Sequence, residues 1–218
     1  MKLLAQVDMQ EITGLGKMVF HQSPIRRSVF FEPIKEDEDE EAQSFLFKEN
    51  YFLSFPDILF VAVYKKNFRS IGAPNFISAN LYAVMTNKDC TEYGEFPFPN
   101  FFDDLSVCLD YGNFQSENPE EVCRQIIKQF WDSKFDLSSR DTLMEDQFGS
   151  LSGYSDFLDD WESKTKSLNW VPEINMLREQ PDRYDPKYTH FLVMSEMFDR
   201  NLDLLNSIIQ AIGSKDAR

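Results

Sequence analysis

The chain has 218 residues, 42% hydrophobic and only 8 of them glycine, with 21 phenylalanines and a formal net charge of −15. That composition suits a packed globule rather than a linker or collagen-like chain. The acidity argues against nucleic acid as a partner, since a phosphate backbone would be repelled, and no apolar run approaches the length of a membrane span.

Three cysteines, at 90, 108 and 123, form no CxxC pair, and the two histidines, His21 and His190, lie far from them in sequence. A zinc site needs four ligands at close spacing, so no metal site is expected. The opening MKLLAQVDMQEI has too short an apolar stretch for a signal peptide. A cytoplasmic, reducing compartment with free thiols is the expectation.

In chain order, residues 1–34 alternate loosely around Leu4, Val7, Met18, Val19, Phe20, Val29, Phe30 and Phe31, which predicts short strands joined by turns. KEDEDEEAQ follows, with six acids at 36–41. It reads as a solvated loop or as a docking patch for a basic partner. Residues 58–64, ILFVAVY, are continuous and β-branched, as a central strand covered on both faces would be. After the turn signal IGAPN, residues 76–85 predict a second strand, antiparallel to the first because the connection is too short for a crossover. The segment FPFPNFFDDLSVCLDYGN, at 96–113, is rich in turn residues. It carries Cys108 between Val107 and Leu109, which can anchor it to a core.

A helix is predicted next. Asn118 is its cap, Pro119 its first residue, and Glu120 and Glu121 complement the dipole. Its stripe of Val122, Cys123, Ile126, Ile127, Phe130 and Trp131 makes Cys123 a buried structural thiol. Residues 149–153 read as a loop, 156–168 as a short helix, and Trp170-Val171-Pro172 as a break. A long helix is predicted from Asp185-Pro186 to about Ile212. Its apolar residues Phe191, Phe198, Leu202, Leu205, Ile209 and Ile212 fall near a 3.5 spacing. They would pack on their own domain or form an oligomeric seam. Strands grouped before helices predict an α+β fold with an antiparallel meander. The expected organisation is a single domain: a core at 45–148, an N-terminal segment of strands and acidic loop at 1–44, and a C-terminal helical extension at 149–218.

Pro99-Asn100, seven residues, then Cys108-Leu109-Asp110 resembles the active-site signature of ubiquitin-conjugating enzymes, and Pro119 falls where that family has a proline in the following helix. The likeness spans about residues 56–135 and extends to prokaryotic members such as the PRTRC system protein B family. It implies that Cys108 forms a thioester with a ubiquitin-like modifier supplied by a ThiF-like activating enzyme, with no organic cofactor. It implies that Asn100 braces the loop and steadies the oxyanion during amine attack, and it places an acid near Asp141. The pattern departs from the family at Phe98, where a histidine is usual, and at Leu105, where a glycine is usual. No sequence-adjacent base accompanies Cys108, which suits exchange between activated thioesters better than hydrolysis. The other reading is a noncatalytic interaction or structural subunit of a phage- or plasmid-encoded assembly on the same fold.

Overall fold

The computed structural model describes residues 1–10, 15–32, 47–67, 76–88, 93–94, 96–101, 107–109, 116–137, 148–167 and 170–173. Within them the chain forms β1 (Lys2–Gln10), β2 (Leu15–Gln22), β3 (Ile25–Glu32), β4 (Asn50–Phe55), β5 (Asp57–Asn67), β6 (Phe76–Thr86), β7 (Tyr93–Gly94), α1 (Pro119–Asp132), β8 (Lys134–Asp136) and α2 (Leu151–Thr165). The acidic run, Cys90, Leu105, Asp141 and the predicted C-terminal helix lie outside the described residues.

The strands make two sheets. Sheet A has the order β1-β2-β5-β6-β7 and is antiparallel throughout. The predicted antiparallel neighbours are β5 and β6, in unbroken register from Asp57↔Thr86 to Asn67↔Phe76. Sheet B has the order β4-β3-β8 and interrupts the expected meander. Its β3 and β4 form an antiparallel hairpin inserted between β2 and β5, while β8 joins β3 in parallel. The α+β class therefore holds, but the strands form two sheets and include a parallel pair.

Alternation explains which face of sheet A is covered. Ile58, Phe60, Ala62 and Tyr64 of β5 and Ile77, Ala79, Leu81, Ala83 and Met85 of β6 are buried on one face. The other face of β5 is only partly covered: Leu59 is buried, Val61 and Val63 are half-buried and Lys65 is exposed. This corrects the expectation of a strand enclosed on both sides. Gly16 pairs with Tyr64, and a Cβ there would meet the Tyr64 ring at 2.2 Å, so the aromatic ring fills the place of the missing side chain.

Helix α1 packs on β5 and β6. Its start follows the sequence signals: the Asn118 side chain accepts from the Glu120 N–H at 3.0 Å, and Pro119 needs no donor there. All six stripe residues from Val122 to Trp131 are buried, each such side chain contributing roughly 1.5–3 kcal/mol of transfer free energy. Ser133 caps the other end, its N–H donating to the Gln129 C=O at 2.9 Å.

Helix α2 begins five residues before the predicted Asp156 and ends at Thr165. Ser150 is its cap, accepting from the Gly153 N–H at 3.1 Å. Gly153 is required because a Cβ would come within 2.3 Å of the Phe148 carbonyl oxygen. The helix lies along the open edge of β4 and satisfies it with side chains: Glu162 accepts from the Phe52 N–H at 2.8 Å, Thr165 from the Ser54 N–H at 3.0 Å, and Trp161 donates to the Ser54 C=O at 2.9 Å. An edge strand closed this way offers no template for foreign strands. One core cluster joins both sheets and both helices. Its centre is aromatic: Phe55 lies 5.2 Å from Trp131 and 5.4 Å from Trp161, and Phe60 lies 5.7 Å from Phe130.

A candidate active site at Cys108

The segment after β7 is fastened to three elements before it reaches the cysteine. The Pro97 C=O accepts from the Tyr154 hydroxyl of α2 at 2.6 Å. Phe98 is 3% exposed and lies 4.5 Å from Phe135, with its ring parallel to Trp161 at 6.3 Å. A histidine at this position would carry polar nitrogens into that aromatic cluster, so phenylalanine here is a core residue. Phe96 and Phe101 stack at 5.1 Å on either side of the Pro99-Asn100 turn.

Asn100 closes the edge of β8. Its Oδ1 accepts from the Asp136 N–H at 2.9 Å, and its Nδ2 reaches the Lys134 C=O at 3.5 Å. The donor at Asp136 fixes which way the amide faces. The side chain thus stands in for a neighbouring strand, a bracing role, while the long Nδ2 contact leaves that donor weakly engaged.

The return strand is bonded on both sides. Val107 forms an isolated antiparallel bridge with Phe101 and donates its N–H to the Leu81 C=O of β6 at 2.8 Å. The Cys108 N–H donates to the Asn100 C=O at 2.7 Å. Val107 and Leu109 are buried and Cys108 is exposed. Extended backbone alternates its side chains, so burying both neighbours presents the thiol to solvent. Cys123 contrasts with it: fully buried on α1, its thiol is pushed up to about 12 by burial and by the charge of Glu120.

Cys108 and Asn100 are therefore brought together by one backbone bond, while the Asn100 side-chain amide turns to β8. Asp141 lies outside the described residues. His21 lies on β2, its Nε2 2.7 Å from Asp57 Oδ1 of β5. Among the described residues no group of three or more His, Cys, Asp or Glu side chains could hold a metal ion, and no helix is long and apolar enough to cross a membrane. Leu81, Lys134, Asp136 and Tyr154 also hold the loop and were not singled out from sequence; all but Tyr154 do so through backbone atoms, which no side-chain pattern reveals. Comparison with family models, with curated proteins and with solved structures finds no match to this chain.

Proposed function

We propose that the protein is a ubiquitin-conjugating-like acyl carrier, with a fold related to that family's, and that Cys108 holds a ubiquitin-like modifier as a thioester. The observation that carries this reading is an exposed thiol on a backbone fixed by Asn100 and β6. In the first step the Cys108 sulfur attacks the thioester carbonyl on a ThiF-like activating enzyme. A new C–S bond forms, the old one breaks, and the departing thiol takes up the proton. In the second step a substrate amine attacks the carbonyl, the C–N bond forms, a proton leaves the nitrogen, and Cys108 is released as a thiol. Both acyl groups are already activated, which agrees with a His21 engaged with Asp57.

The weakly engaged Asn100 Nδ2 is the group available to steady the oxyanion of the second step. Bracing alone also accounts for Asn100, since its Oδ1 is bonded to Asp136, and this favours the noncatalytic interaction module as the second reading. The test is incubation with a ThiF-like activating enzyme, ATP and its ubiquitin-like protein. A thiol-sensitive adduct that is lost in Cys108→Ala, and becomes a thiol-resistant ester in Cys108→Ser, supports the carrier. No adduct with an active cognate enzyme supports the noncatalytic module.

A further inference from the structure

Among the described residues three large apolar side chains are exposed: Met1 at the terminus, Phe30 and Phe52. The two phenylalanines are neighbours. Phe30 pairs with Asn50 and Ser28 with Phe52, so both rings stand on the outer face of sheet B, diagonally across the β3–β4 ladder. They are 42% and 48% exposed, while Val29, Phe31, Tyr51 and Leu53 on the inner face are buried.

The chain passes this face at Ser167, shortly before the described structure ends at residue 173. Arg26 shares the outer face by alternation, and its Nη2 donates to the Ser167 C=O at 2.6 Å, just past the end of α2. Trp170 then packs on the margin of the core. Residues 174–218 follow. The stretch 174–184 can span about 35 Å, whereas Arg26 and Phe30 are about 13 Å apart along β3. The remainder carries the apolar stripe Phe191, Phe198, Leu202, Leu205, Ile209 and Ile212. Its charge also suits docking on this chain. Residues 174–218 hold six Lys and Arg against seven Asp and Glu, in a protein of net charge −15. The segment therefore brings almost no added repulsion.

We propose that Phe30 and Phe52 form the docking site for the chain's own C-terminal segment, seated through the stripe of residues 191–212. Phe30 and Phe52 serve as the anchors, and the Arg26–Ser167 bond sets where the segment starts. This docking is independent of the thioester chemistry at Cys108.

The test uses the full chain with a photo-cross-linkable phenylalanine analogue at position 52, irradiated at low protein concentration and mapped by mass spectrometry. Cross-links to residues 191–212 of the same molecule are expected. Cross-links to a second copy, to another part of the chain, or to none would overturn the proposal. A second measurement covers a failure of the analogue to pack. Phe52→Glu should raise amide exchange across residues 191–212 by about tenfold or more, the loss of one buried aromatic, and leave residues 119–132 unchanged. Unchanged exchange in 191–212, with 119–132 still protected, would also overturn it.

Discussion

Replacing Asn100 with alanine removes the acceptor for the Asp136 N–H and leaves the Cys108–Asn100 backbone bond in place. The lost bond is worth about 1 kcal/mol net, and a part-buried Asp136 amide without a partner adds about 1–2 kcal/mol, while the 3.5 Å Nδ2 contact adds little. A total of about 2–3 kcal/mol corresponds to a fall in Tm of roughly 4–12 °C for a chain of this size. Calorimetry measures the loss, and amide exchange locates it: Asp136 should exchange faster in Asn100→Ala. Asn100→Asp keeps the acceptor but sets a carboxylate beside Asp136, so it should fall between wild type and alanine. A Tm within about 1 °C of wild type, with exchange at Asp136 unchanged, would refute the idea that this side chain holds the loop to β8.

Phe98→His should destabilise by about 2–4 kcal/mol in urea titration, because the imidazole enters the Phe135–Trp161 cluster without a partner; a neutral result would place a polar partner in that pocket. Glu162 gives a pH dependence: burial raises its pKa, but the Lys48 bond, the Phe52 N–H and the charges of Lys48 and Lys166 outweigh it, holding the carboxyl below its ordinary value. The folded pKa being depressed, its contribution is complete above the unfolded value and is lost as pH falls through the folded one. The urea midpoints of wild type and Glu162→Gln should therefore differ at pH 7 and converge in acid, and a gap that persists in acid would contradict the sign. Native alkylation should label Cys108 at least about 100-fold faster than Cys123, the rates converging in urea; equal native rates would contradict the contrast in exposure.

Local signals were legible where one element carries them. The Asn118 cap, the Pro119 start and the stripe of α1 specify that helix and bury Cys123. The continuous run of β5 and its short link to β6 specify their pairing. Period-2 burial around Cys108 followed from Val107 and Leu109. The start of α2 was missed because Ser150 and Gly153 resemble loop residues, and their roles as cap and close-packing glycine depend on Phe148 and the fold of the turn. The strand β8 was missed because three residues carry no period, and what makes them a strand is β3, far away in sequence. The division into two sheets is likewise non-local: nothing in Ile25–Glu32 or Asn50–Phe55 states that they leave the meander.

The parallel pairing of β3 with β8 has a consequence for synthesis. Strand β3 can pair with β4 as soon as residue 55 is made, but its other edge waits about eighty residues more for Lys134–Asp136, roughly 4–16 s at ordinary translation rates. During that interval Phe30, Phe31 and the open β3 backbone stand next to emerging chain without their final neighbour. A nascent protein in this state is a substrate for chaperones that bind extended apolar segments. Slowing elongation between residues 55 and 134 should lengthen that exposure and lower the soluble yield, without altering any contact of the finished molecule.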